Sequence, residues 1–288
     1  MAKFTAKDIN DLRKSTGVGM MDCKKALTEA DGDVEKAMLI LREKGLATQA
    51  KKAGRVAAEG MVVAKVNDAH TVGCVVEVNS ETDFVANTDE FKNFVNLVAD
   101  TIIEKNPADV EALKATVVSG GTATVDEALQ ELFLKIRENL QIRRFVRLEG
   151  TLMPYIHGGG KIGVLVEFKL GDASFATNDD FKKYGRDVAM QVAAASPVSA
   201  TRESVDPAVV EHEMSIYKAQ AAESGKPENI QEKIATGRME KFYKENCLTE
   251  QAFVKNPDQS VNEYTAEVAK ALGTTIEIVS FTRFMLGE

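Results

Sequence analysis

Val72-Gly73-Cys74-Val75-Val76-Glu77-Val78 returns ninety positions later as Ile162-Gly163-Val164-Leu165-Val166-Glu167-Phe168. Both segments have the length and the β-branched, apolar content of a strand. The same step carries Asp89, Phe91, Lys92, Val98 and Ala99 onto Asp179, Phe181, Lys182, Val188 and Ala189, and Gly60 onto Gly150, without a gap. An internal repeat at a fixed step means one supersecondary unit used twice. Each copy reads as strand, turn, strand, loop, helix. The turns are Asn67-Asp-Ala-His70 and His157-Gly-Gly-Gly160. In the first copy the helix carries Phe91, Phe94, Val95, Val98 and Ile102 along one face, a stripe suited to packing on a sheet.

The repeat breaks at one place. In Glu77-Val-Asn-Ser-Glu-Thr-Asp-Phe-Val-Ala86 the strand gives way to a polar turn, Thr82-Asp83-Phe84-Val85, that holds a large aromatic. The counterparts of Asp83 and Phe84 are Ala173 and Ser174. Phe84 either folds back to staple the start of the next helix or stands out as an interface anchor. A staple belonging to the shared frame would be large and apolar in both copies. The repeat therefore favours a functional tip.

Outside the repeat the chain is mostly helical. Thr5-Ala-Lys-Asp8 has a capping-box pattern, and helices follow up to Ser15–Gly19, from Met20 to about Ala30, and from Val34 to Lys44, where Gly45 should stop the last. Ala37, Ile40 and Leu41 should face inward there. Residues 46–59 read as a basic helical linker. Between the copies, helices are expected from Pro107 to about Ala115 and from Thr124 to Leu140. A strand from Gln141 to Leu148 carries Arg143, Arg144 and Arg147, either as an edge strand with its polar face in water or as an anion patch. Asp206-Pro207 opens a charged helix to about Glu223, Gly225-Lys-Pro227 turns the chain, and a second helix runs to about Lys244. The pair makes a hairpin with a narrow seam of Val210, Met214 and Tyr217 against Ile230, Ile234 and Phe242. Ser260–Glu263 caps a last helix ended by Gly273, and Thr275 to Phe284 is a final strand.

Composition bounds the function. The 288 residues are 44% hydrophobic and 28% charged, as in a folded globular protein. No apolar run is long enough to span a membrane, and the first residues lack a secretory core. A net charge of −8 argues against a nucleic-acid binder, although residues 1–55 are basic, at net +4. Cys23, Cys74 and Cys247 form no CxxC pair, so a reducing cytoplasm without zinc or disulfides is the simplest home. His157-Gly-Gly-Gly160 resembles an esterase oxyanion loop, but no GxSxG nucleophile exists. Gly160-Lys161 runs into Ile162 and is no P-loop. His70, His157 and His212 have no ligand spacing. No catalytic, cofactor or metal set is recognisable, which leaves a binding protein.

Leu12-Arg-Lys-Ser-Thr-Gly-Val-Gly-Met-Met-Asp-Cys-Lys-Lys-Ala-Leu27, the Glu77–Ala86 stretch and His157 to Val164 together resemble the bacterial elongation factor Ts family, over nearly the whole chain. The resemblance implies an α+β fold in five parts. Residues 1–55 are a three-helix domain of the ubiquitin-associated type with its basic linker. Residues 56–148 are the first core subdomain, and 149–205 begin the second. Residues 206–246 are an antiparallel coiled-coil arm, and 247–288 complete the second subdomain. Some members continue into a further helical module; this sequence stops at Glu288. The implied activity is guanine nucleotide exchange on elongation factor Tu, in its GDP-bound and nucleotide-free forms, with no cofactor and no direct contact with nucleic acid or membrane. Thr82, Asp83, Phe84 and Val85 are implied to enter the partner beside its magnesium and phosphate site. Arg13, Met20 and Met21 are implied to grip a helix of its GTPase domain, and His157 to face another domain. Adjacent helix positions differ by about 100°, so only one of Met20 and Met21 could be fully buried in the bundle instead. For His157 the alternative is a plain hairpin-turn residue. A homodimer is left open. The rival function is an adaptor built on the head alone, with the core as scaffold.

Overall fold

The structure is a computed structural model and describes residues 4–288; the first three residues of the expected head lie outside it. Three helices come first: α1 (Ala6–Thr16), α2 (Met20–Glu29) and α3 (Val34–Lys52). Then follow β1 (Glu59–Val66), β2 (Val72–Ser80), α4 (Asp83–Ala86), α5 (Asp89–Lys105), α6 (Val110–Ala115), α7 (Val125–Ile136) and β3 (Gln141–Glu149). The rest is β4 (Thr151–His157), β5 (Ile162–Leu170), α8 (Asp179–Ala195), α9 (Pro207–Ala222), α10 (Glu228–Asn246), β6 (Ala252–Phe253), β7 (Asn256–Ser260), α11 (Val261–Leu272) and β8 (Ile276–Met285). The fold mixes helices with small antiparallel sheets, in the orders β1-β2-β3, β4-β5-β8 and β6-β7.

In the second strand and the following helix of each copy the ninety-residue step is obeyed residue for residue. It carries β2 onto β5 and α5 onto α8 with identical bounds, and the β-bulge after Glu77 onto the one after Glu167. The outer face of each sheet is covered by helices. Met61, Val63, Cys74, Val76 and Val78 pack on Phe91, Val95, Val98 and Ile102 of α5. Met153, Val164, Val166 and Phe168 pack on Phe181, Tyr184, Val188 and Val192 of α8. The inner faces meet each other, through Val62, Ala64, Val75, Leu152, Leu165 and Phe284. Both faces of β2 are buried, which is why its sequence is apolar almost throughout. Burial pushes the Cys74 thiol up to about 12, so it is an inert core residue.

The two copies also exchange a pair of hydrogen bonds. Val62 N–H donates to the Gly160 carbonyl at 2.7 Å, and Leu152 N–H to the His70 carbonyl at 2.9 Å. Donors and acceptors in this pair are each ninety positions apart, so the copies pack about an approximate two-fold axis within one chain. Each hairpin turn is thereby tied to the first strand of the other copy.

Several expectations need correction. α3 does not stop at Gly45 but runs on to Lys52, absorbing part of the expected linker. A Cβ at Gly45 would lie 2.3 Å from Leu134 Cδ2 of α7. Glycine is kept there for close helix approach, which offsets its helix cost of about 1 kcal/mol. α7 stops at Ile136, not Leu140, because Arg137 takes a left-handed conformation. The inward-facing Ala37 and Leu41 are buried with Leu12 and Leu27, as expected. β3 is an edge strand, but its arginines neither face water alone nor form an anion patch. Arg144 Nε donates to the buried Glu77 carboxylate at 2.7 Å, Arg144 also reaches the Met285 carbonyl, and its guanidinium lies over the Phe284 ring. Arg147 bonds the Ile103 carbonyl and Glu149. The seam between α9 and α10 is thicker at its base than expected: Met239 and Phe242 are buried with Val205 and Cys247. Arg202 locks that base to the core by binding Glu240 and Glu250 and stacking over Tyr243. The β6–β7 ribbon was not expected.

Glu77 is fully buried; Asn79 Nδ2 and Gly287 N–H also donate to it and Arg143 stands 3.7 Å away, but Arg144 is its nearest cation, so removing Arg144 should be costly. Arg144→Met is expected to lower unfolding free energy by about 2 kcal/mol or more in urea titration. A loss below about 0.5 kcal/mol would place Arg144 among surface residues.

Candidate functional site

The polar turn after β2 folds into α4, a single helical turn. Thr82 is its N-cap, with extended backbone, and its hydroxyl accepts from Val85 N at 3.4 Å. A four-residue helix cannot hold itself, and the structure supplies outside anchors. Thr82 N–H donates to Glu138 Oε2 at 3.1 Å, and the Thr82 hydroxyl to Glu138 Oε1 at 2.8 Å. Ser80 Oγ donates to the Thr82 carbonyl at 2.9 Å. Asn87 Nδ2 donates to the Asp83 carbonyl, and Thr88 Oγ1 to the Val85 carbonyl. One residue earlier, Glu81 accepts from Asn139 N–H at 2.7 Å and pairs with Arg55. The Asn139 amide, with Arg55, holds the Glu81 carboxyl below the usual carboxylate range. That contact is present above the ordinary carboxylate range and is lost as pH falls through the depressed value.

On this fixed base Asp83 and Phe84 point away from the protein. Phe84 is 83% exposed, the most exposed large hydrophobic among the described residues. It is not a staple; Ala86 and Val85 make the inward contacts instead. The second copy shows what the frame looks like without the tip. Ala173–Thr177 is a 3₁₀ turn, and Ala173 and Ser174 occupy the places of Asp83 and Phe84. Its aromatic, Phe175, falls one place later, at the partly buried position of Val85.

Arg13 is exposed at the end of α1. Met20 and Met21 open α2 and are 47% and 63% exposed, so neither is buried in the bundle. Leu12, Val18, Cys23 and Ala26 fill that core, leaving both methionines outward. His157 ends β4 beside the hairpin turn, exposed, with Nδ1 3.2 Å from the Tyr155 hydroxyl. Tip, head residues and His157 share no hydrogen bond among the described residues. A three-residue strap, Arg137-Glu138-Asn139, nevertheless links head and tip. Arg137 pairs with Asp22 of α2 at 2.7 Å and its carbonyl accepts from Lys52 of α3. Asn139 Nδ2 reaches the Arg55 carbonyl at 2.8 Å. These strap residues were missed by sequence reasoning, and nothing in the repeat marks them.

Among the described residues no group of His, Cys, Asp and Glu could hold a metal ion, and no helix is long and apolar enough to cross a membrane. All three cysteines are buried. The arrangement is a displayed aromatic and carboxylate on a stiff base, suited to entering another protein.

The family model described as Elongation factor TS matches residues 81–288. The elongation factor Ts of Trichlorobacter lovleyi is 51% identical over 289 residues, covering 99% of this chain and 93% of the relative. That of Clostridioides difficile is 49% identical over 290 residues, covering 100% and 94%. That of Clostridium perfringens strain SM101 is 48% identical over 288 residues, covering 99% and 93%.

An exposed aromatic adds little to folding. Phe84→Ala should change unfolding free energy by no more than about 0.5 kcal/mol. Thermal melting of the variant beside the parent checks this, and a clearly lowered midpoint would mean that Phe84 packs inward.

Proposed function

The chain belongs to the elongation factor Ts family, and from that premise we propose that it is a guanine nucleotide exchange factor of translation elongation. Its partner is elongation factor Tu, bound as the GDP complex and retained when nucleotide-free. The observation that carries the reading is Phe84, 83% exposed on a turn that five outside hydrogen bonds hold in place.

The mechanism follows from how a GTPase holds GDP. Backbone amides surround the phosphates and Mg²⁺ bridges their charge. Phe84 enters between elements of the partner beside that site. Its buried area stabilises an arrangement in which the phosphate and magnesium ligands are displaced, without touching GDP. Asp83 accepts hydrogen bonds from exposed amides at a partner helix start. Thr82 and Val85 complete the tip by setting its base. Factor and nucleotide then oppose each other through one coupling free energy, equal from either side.

The rest of the chain docks the tip. Residues 1–55 act as a ubiquitin-associated-type head, with Arg13, Met20 and Met21 gripping a helix of the GTPase domain. Exposed methionines suit such a face because they adapt to it. The repeats, 56–148 and 149–205 with 247–288, are the two core subdomains. His157 lies on the second, facing another partner domain. Residues 206–246 are the coiled-coil arm. The protein works in the cytoplasm, carries out no chemistry of its own and needs no cofactor. A head-only adaptor would leave the exposed Phe84 without a role.

Two comparisons test this. Phe84→Ala should slow stimulated release of labelled GDP at saturation by roughly tenfold or more, since an anchor residue is worth about 2 kcal/mol. Ser174→Ala, at the matching place in the other copy, should leave release unchanged. Full-rate exchange by Phe84→Ala would remove the tip from the mechanism.

The paired variant Met20→Ser/Met21→Ser should instead raise the concentration needed for half-maximal release, by about fivefold or more, with little change in the maximum. An unchanged concentration dependence would take this face out of the interface.

A further inference from the structure

We propose that Glu138 is a positioning residue for exchange: its carboxylate sets the direction in which Phe84 is presented. This deepens the exchange reading and rests on it. Both carboxylate oxygens serve one residue, Thr82, through its amide at 3.1 Å and its hydroxyl at 2.8 Å. Two such bonds fix the Thr82 side chain and the peptide leading into it together. Bonds to an ionised acceptor are stronger than neutral ones. Thr82 is the N-cap of α4, so its orientation sets the axis of that single turn, and Phe84 is the second residue along it.

The internal repeat supplies a control. In the second copy the residue matching Thr82 is Asp172. Its amide is also met from the segment that precedes the third strand, but only by the Thr274 hydroxyl, at 3.1 Å. At this residue the copy that displays an aromatic has a bidentate charged anchor, and the copy that displays Ser174 has one neutral bond, beside the Gly171 N–H to Thr275 carbonyl bond one residue earlier. A turn that merely closes a strand-to-helix connection needs no more than the second arrangement.

The anchor is itself anchored. Arg137 on one side holds Asp22 of the head, and Asn139 on the other holds Glu81 and the Arg55 carbonyl. The strap therefore sets the tip in a frame shared with α2, the helix that bears Met20 and Met21. Docking of the head then delivers Phe84 at a defined place. Without Glu138 the turn spends only part of its time with Phe84 in that direction. The maximal release rate falls by that fraction, while docking through the head persists.

The test is stimulated release of labelled GDP from elongation factor Tu, over a range of factor concentrations, with thermal melting of every variant. Glu138→Ala should lower the maximal rate by roughly fivefold and move the half-saturating concentration by less than about twofold. Glu138→Gln keeps one oxygen for the Thr82 amide and offers an NH₂ to its hydroxyl, so it should retain at least about half the parent rate. Glu138→Ala should add nothing further in a Phe84→Ala background, because both act through one group. If Glu138→Ala melts early, Thr82→Ser, which keeps the hydroxyl bonds to Glu138 and Val85, should hold the parent maximal rate, and Thr82→Val, which removes both while leaving the amide bond to Glu138, should reproduce the fall. A slow Phe84→Ala beside a full-rate Glu138→Ala overturns the positioning role and leaves the exchange reading standing. So do effects of the two variants that simply multiply. A full-rate Phe84→Ala overturns the tip itself, and the positioning role with it.

Discussion

The inner faces of the two sheets must cover each other, and most of the structure depends on that contact. Val62, Ala64 and Val75 of one copy meet Leu152, Leu165 and Phe284 of the other. Helices already occupy both outer faces. Most of the apolar surface of the strands is thereby covered; among the described residues, Ile156 of β4 and Val279 of β8 are the large hydrophobics on strands that stay exposed. Phe84 in the turn after β2, His157 at the hairpin turn, and Met20 and Met21 at the start of α2 are among the exposed side chains. The reciprocal bonds between Val62 and Gly160 and between Leu152 and His70 fix the two copies in register. A residue on one turn therefore stands in a defined relation to residues on the other.

Duplication gives the chain two similar turns, and only one has been made into a tip. Display of an aromatic in water gains nothing for folding, since Phe84 leaves almost all of its surface exposed. What it can gain is on binding, where a held side chain loses less conformational freedom than a free one. That logic accounts for the two bonds from Thr82 to the Glu138 carboxylate, where the matching residue Asp172 has one bond to the Thr274 hydroxyl. It also accounts for the direct tie from Arg137 to the head.

Much of this was legible in the sequence, for identifiable reasons. The ninety-residue step located β2, β5, α5 and α8, because a buried strand and a helical stripe leave strong periodic signals. The mismatch of Phe84 with Ser174 marked the turn on which a large aromatic stands exposed. The start of α1 was readable from its Thr5 cap, but the run of α3 through Gly45 was not, because the contact with Leu134 lies some ninety residues away in the chain. Arg144 looked like a solvated edge residue because Glu77, its partner, sits inside a run that reads as pure strand. Glu138 gave no signal at all. It is a polar residue in a loop, and its role comes from Thr82, a partner 56 positions earlier. The sheet-on-sheet contact was hidden as well, since a strand buried on both faces reads the same whatever covers it.

The central claim is that this protein and GDP oppose each other on elongation factor Tu. Titration calorimetry of the protein into elongation factor Tu, once nucleotide-free and once saturated with GDP, measures that opposition without reference to rates. The account predicts affinity at least about tenfold weaker in the presence of GDP, matched by an equal weakening of GDP binding when the protein is present. Equal affinity in the two titrations would mean that the protein binds without displacing nucleotide, and would contradict the account.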